Sequence, residues 1–190
     1  MRFLYALIIF TCFFACQDAT QGQTTVQTET QVPKQPKPTA EELARAKTDS
    51  LLQKYPSQDG YIELTWDTLA NMDFNMQFVS DEEGEGVIPY PIFSEALKEL
   101  DGELVYIKGY VIPFEETGDE TVVFLSAYPY TQCFFCGAAG PESVVDVLSK
   151  EKFKDLKMDE KTIFRGRLRL NGTDLDFLNY ILDDAERVRE

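Results

Sequence analysis

Histidine is absent from this chain. Imidazole is the side chain that transfers protons most readily near neutral pH, so every mechanism that needs a histidine proton shuttle is excluded. Basic residues are also scarce, with 18 Lys and Arg against 33 Asp and Glu and a formal net charge of −15. A field of that sign repels nucleic-acid phosphates, so we expect no nucleic-acid ligand and favour a cationic partner or a metal ion.

Cysteine is nearly as rare, and the four cysteines fall into two pairs. Cys12 and Cys16 lie in an apolar N-terminal stretch, whereas Cys133 and Cys136 form a Cys-Phe-Phe-Cys motif much further along the chain. The first pair bears on where the protein is located. The second pair is the only part of the sequence that suggests a chemistry, and no catalytic residue can be selected elsewhere.

The N-terminus has the pattern of an export signal. Arg2 is followed by an almost uninterrupted apolar run of thirteen residues, Phe3 to Ala15. A helix of this length reaches about 20 Å, which is less than the hydrocarbon core of about 30 Å. Residues 1–15 are therefore predicted to be a signal peptide rather than a membrane span.

The end of this run, Phe13-Phe14-Ala15-Cys16, resembles the lipobox of bacterial lipoproteins. The resemblance implies that the sulfur of Cys16 is diacylated and that Cys16 becomes the first residue of the mature chain. Two or more acyl chains would hold the protein stably in membrane lipid. Cys12 fits less well, because the bulkier Thr11 precedes it. A plain secretory signal with an incidental cysteine is the alternative.

Residues 16–38 are predicted to be a disordered tether between the lipid and the folded part. They consist mainly of Gln, Thr, Lys and Pro, and Val26 and Val32 are their only large apolar side chains. Such a composition cannot bury enough apolar surface to offset the entropy of ordering the chain. A flexible linker of about 22 residues places the folded part roughly 25 Å from the lipid.

Residues 39–102 are predicted to be an N-terminal helical region packed on the core. Thr39 and Glu42 form a capping box for a helix that ends before Pro56. A second helix is indicated by apolar residues at helical spacing, namely Phe93, Ala96, Leu97 and Leu100. Trp66 is predicted to be a core anchor, and residues 81–86 a solvated acidic loop.

Residues 103–190 are predicted to form an OB-like five-stranded barrel, with an open sheet as the alternative. Residues 104–114 and 121–125 have the composition of strands, and Gly109 marks a point where a strand can coil or another backbone can approach. Residues 128–135 are the only candidate for a third strand, and residues 141–148 predict a helix with proline at its first position. The fold class is therefore α+β or mainly β.

Residues 162–170 and 175–182 are predicted to be the last two strands. They flank Asn171-Gly172, a strong signal for a two-residue hairpin turn. Asn171-Gly172-Thr173 also spells a glycosylation acceptor, although a bacterial lipoprotein gives no reason to expect its use.

Arg165, Arg167 and Arg169 alternate along the first of these strands and would share one face. The two-residue turn would place Arg169 opposite Asp174 and Arg167 opposite Asp176, leaving Arg165 without an acidic partner. We therefore expect the stripe to stabilise the sheet rather than bind an anion.

The motif around Cys133 and Cys136 has the features of a reactive site. It reads Cys-Phe-Phe-Cys-Gly followed by Gly-Pro-Glu-Ser. Glycines permit unusual backbone angles there, and a helix that begins at Pro141 would favour a thiolate through its dipole.

From about Ile62 to Val188 the chain resembles a family of uncharacterised envelope lipoproteins of Gram-negative bacteria, which carry a domain of unknown function with an OB-like core. The resemblance rests on residues 65–69, 108–113 and 128–130 and on the Cys133 to Ser143 segment. Another branch of that family carries Cys-x-His here, so Cys133 matches its cysteine, Phe135 replaces its histidine, and Cys136 would be the second ligand. The family implies a location and a site but no activity.

Four interpretations of the cysteine pair stay open. Cys133 and Cys136 would bind a thiophilic metal, alone for two-coordinate Cu(I) or with a carboxylate such as Glu142 for zinc. They would otherwise form a disulfide, since exported proteins meet oxidants, although so short a ring adds only about 2 kcal/mol. A thiol–disulfide enzyme is less well supported, because four residues separate Cys136 from the predicted helix. Two free thiols that only pack are the remaining interpretation.

The sequence as a whole predicts a lipid-anchored protein of the bacterial cell envelope that faces the periplasm or the cell exterior. Its expected function is that of a metal-handling or binding accessory lipoprotein with Cys133 and Cys136 as the site. The alternative is a disulfide-stapled module that binds another envelope protein without metal or catalysis.

Overall fold

The computed structural model of the protein describes residues 37–81, 84–113 and 120–189. The predicted signal peptide, almost all of the tether, Cys12 and Cys16 lie outside the described residues, as do Glu82 and Glu83 of the predicted acidic loop. No helix in the described ranges has the length and apolar character needed to cross a membrane.

Three short helices precede the barrel, and each begins at a hydroxyl-bearing residue that caps it. They are α1 (Ala40–Lys54), α2 (Trp66–Leu69) and α3 (Glu95–Leu100), with the caps Thr39, Thr65 and Ser94. The predicted capping box of α1 is confirmed, because Thr39 and Glu42 each accept a hydrogen bond from the other's backbone N–H. Only Leu51 of α1 is buried, so the helix lies on the surface.

The residues that the structure describes also form three 3₁₀ turns and nine strands. Their bounds are β1 (Ser57–Gln58), β2 (Tyr61–Glu63), β3 (Met72–Asp81), β4 (Gly84–Phe93), β5 (Leu104–Pro113), β6 (Val122–Ser126), β7 (Val144–Leu148), β8 (Lys161–Leu170) and β9 (Tyr180–Val188).

Five of these strands close into a mixed barrel, which confirms the predicted OB-like architecture. The strand order is β5-β6-β7-β9-β8, and β8 pairs back onto β5 to complete the ring. β7 and β9 are parallel, whereas the other barrel pairs are antiparallel. β2 extends the sheet by pairing in parallel with β5, and β1 pairs with β2. The predicted alternative of an open sheet is therefore not adopted.

Gly109 allows β5 to coil and to pair with both β6 and β8, as the sequence predicts for a glycine in a coiled strand. β5 pairs with β8 over residues 104–110 and with β6 over residues 110–113. A Cβ on Gly109 would lie 2.7 Å from the Ser126 carbonyl oxygen and 2.9 Å from the ring of Trp66. Trp66 also donates its indole N–H to the Lys108 carbonyl at 2.8 Å, so its predicted role as an anchor is confirmed.

The core fills the barrel and extends to the helices that cover it. It consists of buried aliphatic and aromatic side chains from every barrel strand and from α1, α2 and α3, including Leu51, Leu69, Leu97, Leu100, Val105, Ile107, Leu125, Val147, Phe164, Leu168 and Leu182. Tyr180 is fully buried among them, and its hydroxyl donates to the Leu69 carbonyl at 2.6 Å.

The helix predicted over residues 141–148 is wrong, and so is the third strand predicted over residues 128–135. A 3₁₀ turn, Pro141–Ser143, leads directly into β7, which is the third barrel strand. Residues 144–147 are buried on both faces, so their apolar pattern has no strand-like alternation and resembles a helix in sequence. Residues 128–135 contain two further 3₁₀ turns instead of a strand.

The predicted two-residue hairpin turn is also wrong. Leu170 pairs with Tyr180, so a loop of residues 171–179 separates the last two strands. The Asn171 side-chain amide lies at the centre of this loop and donates to the carbonyl oxygens of residues 174, 177 and 178 at 2.7, 3.1 and 3.1 Å. These three bonds explain why Asn171 is 8% exposed and organises a wide loop rather than a tight turn.

The arginines of β8 have structural partners, but not the predicted ones. Asp174 and Asp176 lie in the loop after β8, outside the strand register. Arg169 forms two hydrogen bonds with Asp183, at 2.5 and 2.9 Å, and Arg165 forms two with Glu186, at 3.1 and 2.8 Å. Arg167 donates to the carbonyl of Gly102, just after α3. The structural interpretation of the stripe is therefore supported with different pairs.

A long β-hairpin, β3–β4, was not predicted and makes the description of residues 39–102 as helical incomplete. The two strands pair over ten residues each and with no other described strand. Over residues 72–78 and 87–93, one face of this β3–β4 arm is apolar, with Met72, Phe74, Met76, Phe78, Val87, Pro89, Pro91 and Phe93. Met72 and Phe93 pack on the core, whereas Phe78 is 89% exposed.

Gly109 provides a test of barrel closure. We expect Gly109→Ala to lower the free energy of unfolding by about 1–3 kcal/mol, because the added methyl would overlap a backbone oxygen and an anchored ring. Gly86→Ala is the matched control, since the nearest atom to its added Cβ is 3.9 Å away. Urea titration of both variants measures the difference, and equal stability of the two would contradict the role given to Gly109.

Candidate functional site

The Cys133–Cys136 motif lies in the connection between β6 and β7, at one end of the barrel. We call residues 127–143 the cysteine loop. Its base is closed by the pairing of Ser126 with Val144 and by the Ala127 N–H, which donates to the Ser143 carbonyl at 3.0 Å. The loop itself is a chain of three 3₁₀ turns, Tyr130–Gln132, Phe134–Cys136 and Pro141–Ser143. The barrel therefore holds both ends of the loop rigidly.

The backbone of the motif is folded tightly around the carbonyl of Cys133. That oxygen accepts hydrogen bonds from the N–H groups of Cys136 and Ala138, at 3.2 and 3.3 Å. Gly137 ends the turn in the left-handed region, with φ of 72°, a conformation that favours glycine. This geometry brings the two cysteines to the same side of a single turn.

The two thiols differ in accessibility. The side chain of Cys133 is fully buried, whereas Cys136 is exposed, and the two are not bonded to each other. The pKa of Cys136 is raised, first by partial removal of its thiol from water and then by repulsion from, and a hydrogen bond with, Cys133. The two thiols therefore lie close enough to influence each other's protonation.

The raised pKa means that Cys136 is a protonated thiol at neutral pH. The predicted helix whose dipole would favour the thiolate is replaced by a three-residue turn. A reactive thiol needs an environment that lowers its pKa, which Cys136 does not have. The interpretation as a thiol–disulfide enzyme is weakened accordingly.

Aromatic side chains cover one side of the motif. The ring of Phe135 contacts those of Phe124 and Phe134, with centroids 4.7 and 5.6 Å apart. Tyr128 and Tyr130, at the start of the loop, are 47% and 42% exposed. The cysteine loop therefore carries several partly exposed aromatic rings around the motif.

Glu142, the predicted carboxylate ligand, lies in the last turn of the cysteine loop and is half-buried. Its carboxylate is folded back against Gly140. Within residues 37–81, 84–113 and 120–189, no three Cys, Asp or Glu side chains are grouped so that they could hold a metal ion. Cys133 and Cys136 are thus a pair of sulfurs without a third protein ligand in the described chain.

Comparison with known proteins identifies no relative of established function. No protein-family model matches the sequence, and no curated protein matches it. Among solved structures, the fold is similar to the crystal structure of a DUF3299 family protein from Pseudomonas aeruginosa PAO1. The two share 16% identity over 68% of this chain and 97% of that chain, with a TM-score of 0.42.

Asp146 is a buried carboxylate that the sequence analysis does not single out. It is 4% exposed on β7, and its Oδ2 accepts a hydrogen bond from the Leu178 N–H at 2.7 Å. Burial raises its pKa, and the bond from Leu178 and the charge of Arg169 offset this only in part. The single polar residue in the apolar run of residues 144–148 is the signal that points to it. It ties the loop after β8 to the strand that follows the cysteine loop.

The raised pKa of Asp146 predicts a pH-dependent stability. The folded chain binds this proton more tightly than the unfolded chain, so the contribution of Asp146 to stability falls as pH rises through its folded pKa. We expect Asp146→Asn, which resembles the protonated form, to raise the free energy of unfolding at pH 7 and to leave it unchanged near pH 3. Urea titrations between pH 3 and pH 7 measure the free energy of unfolding of both proteins.

Asp176→Asn is the matched control, because it removes the same charge from an exposed position in the same region. Its stability curve should run parallel to that of the unmodified protein. A parallel curve for Asp146→Asn as well would show that the buried carboxylate does not titrate differently in the folded chain.

Proposed function

We propose that this protein is an exported, lipid-anchored component of the bacterial cell envelope that binds a soft metal ion through Cys133 and Cys136. The observation that carries the proposal is the tight turn that places Cys133 and Cys136 in a loop whose two ends are fixed by the barrel. Such a turn supplies two sulfur ligands with little reorganisation of the backbone. The exposure of Cys136 gives an ion a route to the buried sulfur of Cys133.

The donor set favours Cu(I) over zinc. Cu(I) is a soft ion that two thiolates satisfy in two-coordinate geometry, whereas protein zinc sites take at least three protein ligands. The described residues contain no group of three such side chains, so zinc would need further ligands from solvent or from another molecule. The net charge of −15 also attracts cations to the domain.

A disulfide-stapled interaction module is the second candidate. The same turn favours it, because two cysteines that share one turn can be oxidised to a disulfide once the protein leaves the cytoplasm. In that case the barrel would present a surface to another envelope protein. A disulfide between Cys133 and Cys136 would fix the cysteine loop, and no metal would bind.

Metal binding gives a direct test of the first candidate. The protein, purified without oxygen and with reductant, should bind about one Cu(I) per chain, because two sulfurs suffice for one two-coordinate ion. Cys133→Ser and Cys136→Ser should each abolish binding. Affinity should rise with pH towards the raised pKa of Cys136, since the thiols must lose protons to become ligands. Elemental analysis measures the number of Cu(I) ions per chain, and competition with a Cu(I) chelator measures the affinity.

Glu142→Gln separates the two metals. It should leave Cu(I) binding unchanged, whereas a site completed by this carboxylate would weaken. A metal-free protein whose cysteines react with an alkylating agent only after reduction would contradict metal binding and support the disulfide module.

The lipid anchor is proposed from the sequence around Cys16. The polar composition of residues 17–36 supports it, because a spacer of this kind separates an acylated terminus from a folded domain. The mature protein would then be held near membrane lipid, and the folded domain would move within the reach of the spacer.

Intact mass and membrane fractionation test the anchor. The mature protein should begin at Cys16, carry acyl chains and sediment with membranes, because two chains give stable anchoring. Cys16→Ser should release an unacylated protein, and Cys12→Ser, a matched change in the same leader, should alter neither property. A chain cleaved at another residue and found in the soluble fraction would contradict the assignment.

A further inference from the structure

The cysteine loop also lines a cavity that is separate from the proposed metal ligands Cys133 and Cys136. An open cavity of about 350 Å³ lies against its outer face. All of its lining residues belong to this one loop, namely Tyr128, Gln132, Ala138, Ala139, Gly140 and Glu142. The lining contains one acidic side chain and no basic one. Gln132 and Ala138 flank Cys133 and Cys136 in the sequence, but neither cysteine lines the cavity.

Glu142 gives the cavity its charge. The absence of a side chain at Gly140 leaves room for the carboxylate, which a Cβ at that position would overlap. Glu142 forms no hydrogen bond or salt bridge with the residues that the structure describes, although other acidic side chains of the barrel, such as Asp183 and Glu186, are paired with arginines. A half-buried carboxylate without a counter-charge favours a cationic ligand.

Two other lining residues, Tyr128 and Gln132, favour a planar cation with several hydrogen-bond donors. The ring of Tyr128 is 47% exposed and offers a surface on which a planar cation can stack. The Gln132 side chain adds an amide oxygen that accepts a hydrogen bond. A guanidinium group uses both, because it is planar and presents several N–H donors at fixed angles to a carboxylate. An ammonium group would use the charge but not the planar surface.

We propose that this cavity binds an arginine side chain of a partner protein in the envelope. The net charge of −15 would attract a basic partner and orient it before contact. The inference rests on the proposed function in one respect, since the partner would bind the same loop that is proposed to hold the metal ion. The recognition itself needs only Tyr128, Gln132 and Glu142.

Fluorescence anisotropy tests the inference with labelled octapeptides of alternating glycine and arginine, added to the purified mature lipoprotein in detergent. We expect the arginine peptide to bind more tightly than a lysine peptide, and a citrulline peptide, which keeps the shape without the charge, not to bind. Glu142→Gln should weaken arginine binding roughly tenfold, as expected for loss of a charge-assisted bidentate contact. Tyr128→Ala should weaken it, and Tyr128→Phe should not.

Glu151→Gln is the matched control, because it removes the same charge from an exposed residue of another loop. It should change affinity by no more than about twofold, the size of a screened surface effect. Equal weakening by Glu142→Gln and Glu151→Gln would overturn the proposal, since binding would then follow net charge alone. Equal binding of the arginine and citrulline peptides, or no binding of the arginine peptide to the unmodified protein, would also overturn it.

The double variant Cys133→Ser, Cys136→Ser separates this inference from the proposed function. It should lose Cu(I) while keeping its affinity for the arginine peptide. If the unmodified protein binds the peptide but no metal, the metal proposal alone fails. If it binds metal but its affinity for the peptide is unaffected by both Glu142→Gln and Tyr128→Ala, the arginine site alone fails.

Discussion

The pairing of β5 with two neighbours at once is the constraint on which the rest of this structure depends. A strand that serves both β6 and β8 must coil, and Gly109 makes the coil sterically possible. Closure then fixes the end of β6 and the start of β7, which are the two ends of the cysteine loop. The position of Cys133 and Cys136 is therefore a consequence of barrel geometry rather than of the loop sequence alone.

The cysteine loop combines two properties that are seldom found in one turn. Cys133 is buried and Cys136 is exposed, and the raised pKa of Cys136 keeps that thiol protonated at neutral pH. A protonated thiol is a poor nucleophile, so Cys136 is not set up to attack a substrate. The carboxylate of Glu142, which has no hydrogen bond or salt bridge to the described part of the chain, lies on the same loop.

The sequence correctly predicted the elements that neighbouring residues specify. Its predictions failed for the elements whose secondary structure depends on contacts with distant residues. The Thr39 capping box and the coil at Gly109 follow from neighbouring residues, and both were confirmed. Residues 144–147 form a strand only because both of their faces are covered, which no local pattern shows. The β3–β4 arm was not predicted, because Pro89 and Pro91 are unfavourable in most strands. An edge of a strand that pairs with no neighbour tolerates proline. The closeness of Cys133 and Cys136 was predicted, but their unequal exposure was not.

The three hydrogen bonds from the Asn171 side chain have a consequence for producing this protein in a eukaryotic host. Asn171-Gly172-Thr173 is an acceptor for N-linked sugar in a eukaryotic secretory pathway, where attachment precedes completion of the fold. A glycan would occupy the amide nitrogen that donates to residues 174, 177 and 178. Yeast or mammalian secretion would therefore yield a chain in which the last two strands are poorly joined, whereas a bacterial host avoids the conflict.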